Sequence, residues 1–183
     1  MITKRARTVL VLDSGIGGMT VVRAIREHDP DLAVTYIADN AYFPYGRLDT
    51  EALTGRIQTL VAQALDRQAF DAAVIACNTA STLALDALRD ALAIPVVGTV
   101  PAIKPAAALS RSGVIGLLAT SATVTRPYTD KLIHDFAGHC TVVRVAADGL
   151  VEQAERLLAG EPVDDARSEE HTAEPQSHHD LVC

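Results

Sequence analysis

The chain has 183 residues, 49% of them apolar and only 4% aromatic, with no tryptophan and a net charge of −7. That length holds one large or two small domains, and the composition gives a real core packed by alanine, valine and leucine. No Lys/Arg stretch stands out, which argues against a nucleic-acid partner, because phosphate binding needs a basic patch. No apolar run is long enough for a membrane helix, and the N-terminus leads into a strand without a signal peptide. Cys77, Cys140 and Cys183 are odd in number and widely spaced, which is neither a disulfide framework nor a zinc pattern. A reducing cytoplasm is the expected location.

Short β-rich runs alternate with helical stretches, the pattern of βαβ units around a parallel sheet. Residues 8–12 read as the first strand, 13–18 as a glycine loop and 19–27 as a helix. A second strand over 33–38 is followed by a long loop over 39–48. A helix capped by Asp49 or Thr50 then runs to about residue 68, with Leu53, Ile57, Leu60, Val61, Ala64 and Leu65 on its apolar face. A third strand, 72–76, gives way at Cys77-Asn78-Thr79 to a helix from Ala80 to about residue 91. Residues 94–98 form a short strand, and Thr99-Val100-Pro101 a crossing between lobes. Beyond it the rhythm restarts, with strands over 113–119 and 141–145 and helices over 124–136 and 150–159. The expected organisation is a first α/β lobe over 1–98, a partial second lobe over 99–166 and a tail over 167–183.

The tail has no periodicity and no apolar face. It resembles translated read-through of a sequencing adapter, so it is expected to be non-native, disordered and without packed contacts. His171, His178 and His179 would suggest a metal cluster, but all three lie in it, as does Cys183. No metal site is expected. Without the tail one arginine and four acidic residues are lost, and the charge of −7 becomes −4.

Three segments carry the chemistry. Asp13-Ser14-Gly15-Ile16-Gly17-Gly18 follows the first strand, and its glycines let backbone N–H groups approach an anion at a helix start. The spacing is not that of a dinucleotide loop. Pro44-Tyr45-Gly46 follows the second strand and, taken alone, is a turn. Cys77-Asn78-Thr79 follows the third, where the next helix offers N–H groups and a dipole that favour a thiolate. Taken alone, a cysteine there would be a small apolar core residue. All three segments follow successive parallel strands and so fall on one edge of the sheet, the usual ligand position in open α/β folds.

These segments, with Phe43 before Pro44, with Ala76 before Cys77 and Ala80-Ser81 after Thr79, closely resemble motifs of the glutamate racemases, in the aspartate/glutamate racemase superfamily. Residues 97–102 and 121–128 look like that family's interlobe and second-lobe segments, and the resemblance spans about residues 8–160. It implies a two-lobed α/β fold of flavodoxin-like parallel sheets flanked by helices. It implies cofactor-independent interconversion of L- and D-glutamate by two cysteines on opposite faces of the α-carbon, supplying D-glutamate for peptidoglycan. Cys77 matches the first cysteine and Asp13 a residue that assists it. Asp13, Ser14, Tyr45, Gly46, Asn78 and Thr79 match substrate contacts, and Glu152 a glutamate near the second cysteine. A solvated helix residue is the alternative reading of Glu152. The family's second cysteine sits in a Cys-Thr-His segment, whereas Cys140 precedes Thr141 and Val142. The chain is therefore expected to be an N-terminal fragment, inactive alone, of an enzyme that can form a homodimer. A racemase for aspartate or another amino acid, and an idle carboxylate-binding module, are the competing readings.

Overall fold

The computed structural model describes residues 6–163 and 180–182. By its contacts the chain divides into two compact units, Met1–Thr99 and Val100–Cys183.

The first unit is a four-stranded parallel sheet in the order β2-β1-β3-β4, formed by β1 (Thr8–Asp13), β2 (Ala33–Ala38), β3 (Ala72–Ile75) and β4 (Val96–Gly98). Strand β1 is buried on both faces, which explains its unbroken apolar run. Its side chains alternate between two cores, as the twofold period of a strand requires. Val9 and Val11 join Val22 of α1 (Met19–His28) on one face. Leu10 and Leu12 join Leu53, Ile57 and Val61 of α2 (Thr50–Leu65), and Ala84, Leu85 and Leu88 of α3 (Asn78–Ala91), on the other. Asp49 caps α2, its Oδ1 accepting from the Ala52 N–H at 2.8 Å. The loop after β2 contains two short 3-10 turns, Asn40–Tyr42 and Tyr45–Arg47.

The second unit holds a parallel sheet in the order β6-β5-β7, built from β5 (Val114–Ala119), β6 (Thr141–Ala146) and β7 (Asp180–Val182). Helices α4 (Ile103–Leu109), α5 (Ser121–Val124), α6 (Pro127–Ala137) and α7 (Asp148–Leu158) complete it. Its core gathers Ile103, Ala107, Ile115, Leu117, Val124 and Ala137.

Four details differ from the expected elements. Helix α4 was not anticipated; its Pro105 stands in the first turn, where a missing N–H costs nothing. The helix expected over 124–136 is two, because Pro127 cannot continue α5 and instead opens α6. Helix α3 begins at Asn78 and not at Ala80, so the Cys77-Asn78-Thr79 segment is the helix start itself. Residues 180–182, expected to make no packed contacts, form β7 beside β5, pairing Ile115 with Asp180 and Leu117 with Val182. An open strand edge offers unpaired backbone groups, and a short β-prone Leu-Val segment can satisfy them. The other tail residues, 167–179 and 183, including His171, His178, His179 and Cys183, lie outside the described residues, as do residues 164–166.

Replacing Leu10 with alanine should lower stability by about 3 kcal/mol, since the side chain is fully buried between β1 and two helices. Urea unfolding followed by circular dichroism measures it; a loss below about 1 kcal/mol would show that this core is loosely packed.

Candidate active site

The register of the first sheet aligns the carboxyl ends of its strands. Asp13 ends β1 opposite Ala38, Leu12 pairs with Ile75, and Cys77 follows two residues beyond Ile75. The chain runs from β1 to β2 on one side and later to β3 on the other. The loops after β1 and β3 therefore flank the point where strand order reverses, which is where open α/β sheets bind ligands.

Asp13 is buried, and its carboxylate organises the glycine loop. Its Oδ1 accepts from the Ser14 N–H and its Oδ2 from the Gly18 N–H, both at 2.7 Å. Two of the loop's amides thus serve the protein's own carboxylate, where the sequence suggested an external anion. The fold passes so close at Gly18 that a Cβ there would lie 2.8 Å from the Asp13 Cβ and 2.9 Å from the Tyr36 hydroxyl. That hydroxyl donates to the Gly15 carbonyl at 2.7 Å and pins the loop from β2.

Cys77 is the N-cap residue of α3 and is 8% exposed. Its Sγ lies 3.9 Å from the Ser14 hydroxyl oxygen. The thiol is pushed up to about 12, first by burial and then by the negative charge of Asp13. The Ala80 N–H and the Ser14 hydroxyl act the other way and are outweighed. The helix start does favour the thiolate, as its position suggested, but desolvation and a neighbouring carboxylate reverse the balance. Cys77 is thus held as a thiol at neutral pH.

Asn78 and Thr79 occupy the first turn of α3, Asn78 exposed and Thr79 buried. Tyr45 is 1% exposed and shares the Cys77 core, but its hydroxyl donates to Asp39 Oδ2 at 2.8 Å. A contact between this residue and a ligand would use the backbone, since Tyr45 and Gly46 open a 3-10 turn whose first N–H groups have no partner within the turn. Glu152 is half-buried on α7, in the second unit. Cys77 thus stands 3.9 Å from Ser14 and under the charge of Asp13, with Tyr45 in the same core and Asn78 and Thr79 in the turn that follows.

Sequence reasoning missed three supporting side chains. Ser81 donates to the Ile75 carbonyl at 3.0 Å and accepts from the Thr99 N–H at 3.1 Å, which ties α3 to the ends of β3 and β4. A serine one turn into a helix that starts at a strand end was the available signal. Asp39 and Arg56 form a bidentate pair, with Nε to Oδ2 at 2.9 Å and Nη2 to Oδ1 at 2.7 Å. Asp39 was readable as an acid at a strand end, but nothing local marked Arg56 on the next helix.

A model of the Asp/Glu/Hydantoin racemase family matches residues 19–174. The chain belongs to this family. It is 51% identical over 156 residues to a glutamate racemase of Klebsiella pneumoniae, which covers 85% of this chain and 55% of that protein. A crystal structure of Escherichia coli glutamate racemase in complex with L-glutamate and the activator UDP-MurNAc-Ala matches with a TM-score of 0.88 and 43% identity, over 96% of this chain and 68% of that one. The Francisella tularensis glutamate racemase with D-glutamate matches with a TM-score of 0.73 and 27% identity, over 94% of this chain and 64% of that one. The chain thus spans little more than half the length of the Klebsiella relative. The parallel sheets flanked by helices expected from the sequence are those of the family. No helix among the described residues is long and apolar enough to cross a membrane.

The Asp13 charge raises the Cys77 thiol. Asp13→Asn should therefore move the pH profile of Cys77 alkylation by neutral iodoacetamide to lower pH. Peptide mass spectrometry after timed quenching reads it; a profile unmoved, or moved to higher pH, would contradict the assigned cause.

Proposed function

We propose that this chain carries one proton-transferring half of a glutamate racemase, with Cys77 as the base on one face of the α-carbon. The observation that carries the reading is a buried thiol 3.9 Å from the Ser14 hydroxyl and under the charge of the buried Asp13 carboxylate at the strand-order switch point, in a chain about half identical to glutamate racemases. Relatives of known structure hold L-glutamate in one case and D-glutamate in another.

A thiol near 12 is ionised in less than about one molecule in 10,000 at neutral pH. The reaction needs that proton removed. Asp13, whose charge acts on the thiol, receives the proton as substrate binds. The ammonium of a bound amino acid lowers the cost of the thiolate further. The thiolate then takes the α-proton. The C–H electron pair stays on the substrate, delocalised into its carboxylate, and donors around that carboxylate stabilise the developing charge. Ser14, the Gly46 backbone, Asn78 and Thr79 are those donors in this proposal. A thiol on the opposite face returns a proton and inverts the centre, so no step calls for a cofactor.

Cys140 is not that second thiol. It packs half-buried against the second-unit core, beside Val142. The opposing cysteine is placed in a Cys-Thr-His segment of a protein of full family length, with Glu152 near it. The reaction would supply D-glutamate for peptidoglycan in the cytoplasm, from an enzyme able to form homodimers.

The 183-residue chain should leave the circular dichroism of an L-glutamate solution unchanged. A family-length protein carrying these residues should racemise it, with deuterium entering the α-position in deuterated water. Cys77→Ala in that protein should abolish turnover, and Cys140→Ala should leave it intact. Racemisation by the 183-residue chain alone, or normal turnover after Cys77→Ala, would refute the two-thiol reading.

A further inference from the structure

We propose that Arg56 is a positioning residue for the carboxylate-binding part of the site, holding the Tyr45–Gly46 backbone beside Cys77 through Asp39. The inference rests on the carboxylate site of the preceding section and adds a residue to it.

Asp39 stands at a junction. Its N–H donates to the Asp13 carbonyl at 2.8 Å, extending the β1–β2 ladder by one step. It is thereby locked to the residue whose carboxylate meets Cys77. Its own carboxylate, with a side chain 2% exposed, accepts the bidentate fork of Arg56 and the hydroxyl of Tyr45. A buried carboxylate is tolerated only when such partners compensate it. Arg56 holds Asp39 below the usual carboxylate range, chiefly through its hydrogen bonds.

Arg56 also reaches the other end of the same loop. Its guanidinium lies over the Tyr42 ring, 4.3 Å from the centroid. One side chain on α2 therefore holds both 3-10 turns, Tyr42 by its ring and Tyr45 through the carboxylate. The second turn packs against α3, the helix that Cys77 caps, and the Tyr45 ring shares a core with Cys77. Lysine would keep the charge but lose the planar fork that fixes both carboxylate oxygens.

The test reads carboxylate recognition at Cys77 in the 183-residue chain, without turnover. Iodoacetate and iodoacetamide alkylate a thiolate alike, forming the S–C bond and releasing iodide, but only the first carries a carboxylate. The ratio of their rates at Cys77, divided by the same ratio at Cys140, measures how far the site recognises that group. It should exceed one in the unaltered chain and fall about fivefold in Arg56→Met, the scale of one lost hydrogen bond. Arg56→Lys should not restore it. Tyr45→Phe keeps the buried ring while removing the hydroxyl link, so it should lower the ratio with unchanged circular dichroism even if Arg56→Met fails to fold. A preserved ratio in folded Tyr45→Phe or Arg56→Met, beside a clear preference in the unaltered chain, overturns the positioning role alone. A ratio of one in the unaltered chain overturns the carboxylate site and this inference with it.

Discussion

The site depends on a carboxylate buried at the end of the central strand. Asp13 has its two oxygens bound by backbone amides four positions apart in the chain, and that geometry shapes the loop between them. The loop needs Gly18 because any larger residue would strike the Asp13 side chain itself. The same charge opposes ionisation of the Cys77 thiol across the switch point. One charge therefore sets the backbone of the first loop and the protonation of the cysteine after the third strand. The sheet supplies the remaining constraint, since only parallel strands in this order bring the two loops together.

Much of this was legible in the sequence because it is encoded by local rules. The apolar runs mark β1, buried on both faces, and β3, buried on one face and half-buried on the other, and each is followed at once by its polar segment. The period of α2 and its Asp49 cap gave that helix nearly to its ends. Cys77, Asp13 and Ser14 could be placed together because the rule for parallel sheets needs only the order of elements. The protonation of Cys77 could not be read that way. The helix start is a local signal and argues for a thiolate, whereas burial and the approach of Asp13 depend on a fold that joins residues 64 positions apart in the chain.

The partner of the Tyr45 hydroxyl was out of reach for the same reason: it is Asp39, and the ring is core. Arg56 shows the limit most clearly. It lies 17 residues from its partner, on a helix whose apolar face was the visible pattern, and only the packing of α2 beside the loop after β2 reveals what its exposed-looking position does. In the second unit, β7 adds a strand to β5 from a segment with no periodic signal, because pairing at a sheet edge is satisfied by backbone more than by side chain.

Two buried acids at this sheet edge are driven in opposite directions, and the difference follows from their partners. Asp39 meets a guanidinium and a hydroxyl, both of which donate, so its charged form is favoured despite burial. Cys77 meets a carboxylate, so its charged form is opposed by burial and by its neighbour alike. The ion pair sits where a permanent charge holds a loop, and under the proposed function the neutral thiol sits where a charge is called for only when substrate is present. A cationic partner beside Cys77 would give a standing thiolate, open to oxidation and alkylation whenever the site was empty. With an anionic neighbour, the thiolate forms only when something cationic enters to offset Asp13. Under the proposed function the ammonium of an amino acid does that, so the arrangement that keeps the thiol unreactive would also couple its ionisation to the arrival of substrate.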